Sequence, residues 1–269
     1  MSRGRLIAAL VVAAIALFSY FGSSVFNPIT EEKQHVAGIT PEQEVALGLQ
    51  AAPEMAQQFG GEDPDPQLQA RVDQVGERLV ARSVAGQTPY RYDFHVLNDP
   101  ETINAFALPG GQVFITEGLL KRLETDGQLA GVLGHEIGHV AARHGAEHIA
   151  KQQLTQGLTG AAVLATYDPS DPSSRNSAAV AAMIGQLVTM RFGRQDELES
   201  DRLGVRLSSE AGYDPRSMIK LMQILEESSQ GNRPPEFFST HPNPENRIQR
   251  IQEAIQERFP NGPPSGLEP

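Results

Sequence analysis

Apolar residues recur along most of this chain with the spacing of one helix face. Val72, Val75 and Leu79 lie three or four positions apart, which is the period expected of an amphipathic helix. Capping boxes that begin at Thr40 and Thr125 mark two helix starts, because the cap and the residue three positions on satisfy each other's backbone amides. The pattern predicts helices over residues 40–59, 68–85, 125–151, 154–166 and 178–192, and two late helices that begin near Pro215 and Pro244.

A different period in the middle of the chain predicts a small sheet. Apolar and polar residues alternate over 92–96, which is typical of a half-buried strand. The segments 103–108 and 112–116 flank Pro109-Gly110-Gly111, and this arrangement predicts a hairpin with turn residues at its tip. Helices therefore dominate around a few strands, and the predicted fold class is α+β.

The N-terminus predicts export. Arg3 and Arg5 precede an unbroken run of 13 apolar residues, Leu6–Phe18, and a softer apolar stretch continues to Phe26. Such a run has the length of a signal-peptide core, whereas the stretch counted to Phe26 would rise about 31 Å as a helix and span a bilayer. Residues 1–26 are therefore a cleaved signal peptide or, as we favour, a single transmembrane anchor. Either way the N-terminus stays inside and the remainder is periplasmic or otherwise extracytoplasmic.

Composition divides the remainder into a linker, one domain and a tail. Residues 27–39 are polar and predict a linker, and the periodic segments place a single domain over residues 40–259. Residues 260–269 contain four prolines and two glycines and predict a disordered tail. Residues 167–177 are rich in Asp, Pro and Ser and predict a mobile loop, which is either a lid over a site or an ordinary surface loop.

The totals restrict the chemistry that this domain can carry. The chain has no cysteine, which excludes disulfides, iron–sulfur clusters and thiolate metal sites, so a bound metal must have His, Asp or Glu ligands. Lys and Arg number 22 against 33 Asp and Glu, a net charge of −11. This acidic balance argues against a nucleic-acid partner, which would need a basic surface.

The strongest chemical signal is His135-Glu136-Ile137-Gly138-His139, within the helix predicted to begin at Thr125. Residues four apart share a helix face, so both imidazoles can bind one Zn²⁺ while Glu136 reaches a water molecule beside the metal. Unpaired polar groups would be costly in this apolar helix centre, which favours the metal site over a chance arrangement. His144 and His148 fall on the opposite face of the same predicted helix, so we expect them to face solvent.

A catalytic zinc needs a third protein ligand, and no further histidine follows the motif at the short spacing that some zinc peptidases use. The acidic segment 196–201 offers candidates, because Glu197 and Asp201 share a helix face while Glu199 points away from both. One of the pair can bind the metal while the other orients a ligand imidazole. Spacing alone equally allows an acidic face exposed to solvent.

Four segments together carry a family resemblance. The motif at 135–139 is followed by Glu197-Leu198-Glu199-Ser200-Asp201, in the pattern HExxH and then ExxxD. This pair, together with the segment 104–120, resembles the membrane-associated zinc metallopeptidases that include HtpX and the CAAX prenyl endopeptidases, family forty-eight of the metallopeptidases. The segment 239–247 is similar to the His-Pro and Arg element of the periplasmic, BepA-like branch.

The resemblance implies a mainly helical zincin domain of the gluzincin type that hydrolyses peptide bonds at one Zn²⁺ per chain. In this resemblance the zinc ligands are His135, His139 and Glu197, and Glu136 is the catalytic base. Asp201 contacts a ligand without binding the zinc, and His241 and Arg247 lie near the zinc. We expect His241 to gate the enzyme by approaching the zinc, the alternative being a cap or loop histidine. We expect an extended protein or peptide substrate to pair with the strand Gln112, Val113, Phe114, Ile115 and Thr116.

The chain also departs from these relatives, because it has one membrane span at most where HtpX and the prenyl endopeptidases have several. It also has no helical-repeat domain after the peptidase segment, such as the one in BepA. We therefore expect a stand-alone peptidase domain that acts on misfolded or envelope proteins and meets the membrane only through residues 1–26. One alternative is a zinc-stabilised chaperone or scaffold with little or no turnover. Another is a hydrolase that holds Mn²⁺ or Fe²⁺ in the same ligands.

Overall fold

The computed structural model describes residues 3–166, 192–229, 235–243 and 246–269, and within them the chain is mainly helical. The helices are α1 (Arg3–Gly22), α2 (Pro41–Gln58), α3 (Pro66–Arg82), α4 (Glu117–Leu120), α5 (Asp126–Ala141), α6 (His144–Thr166), α7 (Arg194–Glu210), α8 (Ser217–Ser228), α9 (Phe237–Thr240) and α10 (Arg247–Arg258). The strands are β1 (Ser24–Asn27), β2 (Glu32–His35), β3 (Asp93–Leu97), β4 (Ala105–Leu108) and β5 (Gln112–Thr116). The α+β class is confirmed. The predicted loop 167–177 and nearly all of the predicted helix 178–192 lie outside the described residues.

The predicted hairpin is present as β4 and β5, but it belongs to a three-stranded sheet. The strand order is β3-β5-β4, with β5 parallel to β3 and antiparallel to β4. Gly110 and Gly111 form the turn with φ of 86° and 110°, a region that glycine adopts without strain. A Cβ on Gly110 would also lie 2.4 Å from the Cα of Val45, so α2 can approach the turn only over a glycine. The sheet is thereby fixed against α2.

Helix α5, which carries the His135–His139 motif, packs against α3, α7, α8 and the sheet. Every residue of α5 from Gly127 to Ala141 is buried. A Cβ on Gly138 would lie 2.7 Å from Ser200 Oγ of α7, so the two helices approach closely at the motif. Ser200 Oγ donates a hydrogen bond to the backbone carbonyl of His135 at this contact. The motif of α5 is therefore in direct contact with the acidic segment of α7.

The helix predicted over 125–151 is interrupted at Arg143, which corrects that expectation. Arg143 has φ of 55°, in the left-handed region, and separates α5 from α6. Its guanidinium is held from outside the helix, since Nε donates to Glu44 Oε2 at 2.9 Å and Nη2 donates to the carbonyl of Ile39 at 2.7 Å. These bonds offset a left-handed conformation that costs about 1–2 kcal/mol. They come from remote parts of the chain, so a local pattern could not reveal the break.

The N-terminal segments fold back onto the domain. Helix α1 packs along α6, and β1 pairs with β2 in an antiparallel hairpin. Asn27 Nδ2 donates to the carbonyl of Ala141 at 2.7 Å, and Gln34 donates to the carbonyl of Ala142. Much of the expected linker 27–39 is therefore a hairpin fixed to the end of α5. Among the described residues, no helix has both the length and the apolarity that a membrane crossing requires.

Residues 260–269 follow a defined path, which corrects the expectation of a disordered tail. Glu268 pairs with the turn after α7, where its amide donates to Gly212 at 3.0 Å and its carbonyl accepts from Asp214 at 2.7 Å. The amide of Gly127, at the start of α5, donates to the carbonyl of Pro269 at 2.9 Å. Proline limits the conformations of a segment, but it does not prevent pairing by the residues between prolines. The composition of the tail did not reveal the turn that receives it.

Candidate metal centre

The two histidines of the motif project side by side from α5. Their Nε2 atoms lie 3.0 Å apart, and each side chain is 2% exposed. Glu197 reaches the pair from α7, with Oε2 3.5 Å from His135 Nε2 and Oε1 3.4 Å from His139 Nε2. Three residues of the types that bind zinc therefore converge from two helices at one buried point.

A third element adds His241, which follows α9. Its Nδ1 lies 3.4 Å from His135 Nε2 and 3.1 Å from Glu197 Oε1. The potential ligand atoms of His135, His139, Glu197 and His241 all lie within 4.8 Å of one another. Ligands about 2.0–2.1 Å from a tetrahedral zinc stand about 3.3 Å from each other. The spacing and the nitrogen and oxygen donor set therefore fit a zinc ion.

Glu136 lies beside these groups without binding any of them closely. It is fully buried, and neither of its carboxylate oxygens has a hydrogen-bond partner among the described residues. The Nε2 atom of His241 lies 3.6 Å from Glu136 Oε1. Burial raises the pKa of the Glu136 carboxyl above its usual value. The residue is thus a carboxyl group near the candidate metal ligands with both oxygens available.

Burial and hydrogen bonding shift the pKa values of the three other groups in different directions. Burial lowers the pKa of His139 well below its usual value, although Glu197 opposes this. Burial would also lower the pKa of His135, but its hydrogen bonds to Asp201 and Glu197 outweigh that effect and raise the pKa to about 9. Burial would raise the pKa of Glu197, but His241 and the two motif histidines lower it overall. Glu197 is therefore an anionic group at neutral pH.

Asp201 and Arg247 contact the residues of the site on the side of His135 that faces away from His139. Asp201 Oδ1 lies 2.9 Å from His135 Nδ1, the ring nitrogen that faces away from the other ligands. Arg247 donates to both oxygens of Asp201, from Nε at 2.7 Å and from Nη2 at 2.9 Å. The same Nη2 lies 3.2 Å from Glu197 Oε2. Arg247, which is 2% exposed, thus contacts two buried carboxylates at once.

The expected substrate strand is not free to accept a peptide. Strand β5, residues Gln112–Thr116, is buried and already pairs with β3 on one side and β4 on the other. The hairpin was visible in the sequence, but the parallel pairing with β3 was not.

The sheet has two outer edges, those of β3 and β4. The outer edge of β3 is occupied, because Gln69 bonds to the backbone of Phe94 and Val96 and the amide of Asp63 donates to the carbonyl of Val96. The outer edge of β4 has no strand partner among the described residues. The amide of Thr116 donates to the carbonyl of Asn104, and by alternation the backbone groups of Ala105 and Ala107 point to that edge.

An apolar cavity opens beside β4 and the candidate metal ligands. Phe106 and Leu108 of β4 line it, as do side chains from α2 and α5. Phe192 also lines the cavity, and its ring stacks on His139 with the ring centroids 3.9 Å apart. No sequence signal had connected Phe192 to the site.

His144 is also part of this region, contrary to the expectation that it faces solvent. It is 1% exposed, and its Nδ1 lies 2.8 Å from His139 Nδ1. The expectation was wrong because it counted residues along one continuous helix, whereas the chain turns at Arg143. His148 is partly buried and bonds to Asp196 Oδ2 at 2.8 Å.

Comparison with known proteins places this geometry in a family. The model of peptidase family M48 matches residues 66–255. The beta-barrel assembly-enhancing protease of Escherichia coli (strain K12) is 35% identical over 195 residues, which cover 68% of this chain and 38% of that protein. The mitochondrial metalloendopeptidase OMA1 of Schizosaccharomyces pombe is 35% identical over 187 residues, which cover 69% of this chain and 52% of that protein. The chain thus matches about half or less of the length of these relatives. Because the family model covers most of the chain, including every residue of the converging cluster, the chain belongs to peptidase family M48.

Proposed function

We propose that this chain is a zinc-dependent metalloendopeptidase, and the environment of Glu136 is the observation that carries the proposal. A fully buried carboxyl group with no hydrogen-bond partner among the described residues is costly in a purely structural role. Here it stands beside three or four ligand groups that fit a zinc ion. Such a carboxyl group is positioned to exchange a proton with a water molecule that attacks a peptide bond.

Bound zinc would polarise the scissile carbonyl and lower the pKa of a water molecule. The chain supplies the remaining parts, with His135, His139 and Glu197 as the ligands. Glu136 takes the proton of the attacking water and delivers it to the leaving amine. The pKa of Glu136 is raised by burial, which brings it nearer to the range in which one group can both accept and return a proton.

His241 extends this proposal to regulation. Its Nδ1 is as close to His135 and Glu197 as a fourth ligand would be. In the resting enzyme His241 would serve as a fourth ligand to a bound zinc and so restrain activity. The substitution His241→Ala should then raise the rate of peptide hydrolysis and change the metal coordination. If it changes neither, His241 is not a gate.

The substrate follows from the edge of β4 and the cavity beside it. An extended peptide can pair with the outward backbone groups of Ala105 and Ala107, which reads the backbone of the substrate and not its side chains. The cavity that Phe106 and Phe192 line would accept an apolar side chain of the substrate. Since the E. coli relative is named for β-barrel assembly, we propose misfolded or envelope proteins as substrates.

Residues 1–26 direct the chain out of the cytoplasm in this proposal, as a signal peptide. A phosphatase that folds only after export, fused behind residue 39, tests this directly. The fusion should be active, and replacement of Arg3 and Arg5 by Glu should reduce that activity. An inactive wild-type fusion contradicts the proposed location.

Casein digestion tests the enzymatic proposal. The zinc-loaded chain should cleave casein, a chelator should abolish cleavage, and Glu136→Gln should abolish it while zinc content is retained. Equal cleavage by wild type and Glu136→Gln contradicts the catalytic role. A zinc-loaded wild type that does not cleave supports a chaperone or scaffold. Elemental analysis of the purified chain distinguishes zinc from Mn²⁺ or Fe²⁺.

A further inference from the structure

His144 contacts the proposed metal site from outside the group of ligands. Its Nδ1 lies 2.8 Å from His139 Nδ1, and its Nε2 lies 3.0 Å from Glu199 Oε2. The geometry points to His144 as a positioning residue that orients His139 for metal binding and fixes its tautomer, with Glu199 holding His144 in turn. This inference rests on the proposed metal site.

The directions of the two hydrogen bonds follow from the chemistry of imidazole. A histidine that binds a metal through Nε2 is neutral and carries its proton on Nδ1. The Nδ1–H of His139 must therefore donate, and Nδ1 of His144 must accept. A neutral His144 then carries its own proton on Nε2, where Glu199 accepts it. Each contact has one donor and one acceptor, so the arrangement is consistent from the ligand to the carboxylate.

The two motif histidines are thus supported in different ways. His135 is supported by a carboxylate, Asp201, which Arg247 neutralises. His139 is supported by the imidazole of His144, and the carboxylate of Glu199 contacts His144 and not His139. Removal of His144 would leave the Nδ1–H of His139 without its acceptor in a site that is 2% exposed. Outer partners of this kind contribute about 10- to 100-fold to metal affinity.

The break in the helix is what brings His144 to this position. Arg143 turns the chain with φ of 55°, and its guanidinium bonds to Glu44 at 2.9 Å. Tyr90 donates to the same carboxylate oxygen of Glu44 at 2.7 Å, so the anchor is itself buried and hydrogen-bonded. Along an uninterrupted helix His144 would lie on the far side of α5. The strained residue and its remote anchor therefore have a consequence for the metal site.

His148 provides a matched control. It lies four residues after His144 on α6 and has a carboxylate partner of its own, Asp196, at 2.8 Å. No hydrogen bond of the described residues joins His148 to any of the four ligand groups. Substitution of His148 therefore removes a partly buried histidine and a similar hydrogen bond to a carboxylate without touching His139.

The experiment measures zinc affinity of the full chain by competition with a chelator, for wild type, His144→Leu, His144→Asn and His148→Leu. His144→Leu should weaken zinc binding about 10- to 100-fold. His144→Asn should recover most of that loss, because its side-chain oxygen can accept near the position of Nδ1. His148→Leu should bind zinc as wild type does. Thermal unfolding of the metal-free variants shows whether each one folds. If His144→Leu does not fold, Glu199→Leu is measured in its place, and it should also weaken zinc binding.

A second readout reports the tautomer itself. In long-range ¹H–¹⁵N spectra of the zinc-loaded wild type, the proton of His139 should reside on Nδ1 and exchange slowly with water. In His144→Leu that proton should exchange faster, while the ring proton of His135 should be unaffected.

The outcomes separate this inference from the proposed function. If wild type binds zinc and His144→Leu binds it equally well, or His148→Leu loses as much affinity as His144→Leu, then His144 is not a positioning residue. If wild type binds no zinc, the metal site and this inference both fail. If zinc affinity depends on His144 but casein is not cleaved, the positioning role stands and only the peptidase assignment fails.

Discussion

Zinc binding by this chain should weaken steeply as the pH falls, because one proposed ligand holds a proton when the metal is absent. Hydrogen bonds to Asp201 and Glu197 outweigh burial and raise the pKa of His135 to about 9. The pKa values of His139 and Glu197 are both lowered well below their usual values, so neither holds a proton near neutral pH. Zinc must therefore displace one proton, and that proton comes from His135.

The size of the effect follows from that pKa. Below pH 9 the apparent association constant falls tenfold with each pH unit, which corresponds to about 1.4 kcal/mol. Between pH 8 and pH 6 the loss is about 90-fold, whereas a histidine with an ordinary pKa of about 6.5 would give a loss of about fourfold. The two cases are separated by more than the error of a competition assay.

Chelator competition at several pH values, corrected for protonation of the chelator, measures the slope. Calorimetry in two buffers with different ionisation enthalpies should show about one proton released per zinc at pH 7. Asp201→Asn removes the charge that favours protonation of His135, so this variant should show a shallower slope. An apparent affinity that changes only about fourfold between pH 8 and pH 6 would mean that His135 is not protonated in the metal-free chain.

Three further predictions concern stability. Gly138→Ala places a Cβ 2.7 Å from Ser200 Oγ, and such overpacking should cost about 1–3 kcal/mol of unfolding free energy in urea; an unchanged midpoint would show that α5 and α7 are not in close contact. Arg247→Leu removes the buried guanidinium that bonds to both oxygens of Asp201 and should cost about 3–5 kcal/mol, and adding Asp201→Leu should recover part of it; a double variant less stable than Arg247→Leu contradicts this. Deletion of residues 262–269 removes four backbone hydrogen bonds and should cost about 2–4 kcal/mol, seen as a lower melting temperature; an unchanged melting temperature would mean that the tail contributes no stability.

The part of the site on α5 and α7 could be predicted because helix geometry is local. Residues four apart share a face, so spacing alone pairs His135 with His139 and Glu197 with Asp201. Spacing did not decide whether the acidic pair faces the metal or solvent. The family resemblance did, because its pattern assigns a role to each of the two positions.

The parts that could not be predicted depend on contacts between remote segments. The bond between Arg143 and Glu44 breaks a helix that every local signal continues, and His144 is buried as a result. The position of β5 between two strands depends on β3, which precedes the hairpin and pairs with it in parallel. The tail is ordered by a turn near Gly212. In each case the partner lies far away in sequence, and composition gives no indication of it.

The proposed chemistry depends above all on one zinc ion held by His135, His139 and Glu197 beside Glu136. Anomalous diffraction at the zinc edge from crystals of the zinc-loaded chain would locate that ion. We expect one strong peak per chain, bonded to Nε2 of both histidines and to the carboxylate of Glu197, with Glu136 near the metal but not bound to it. A peak bonded to Glu199 in place of Glu197, or no peak between α5 and α7, would show that the assignment of the metal site is wrong.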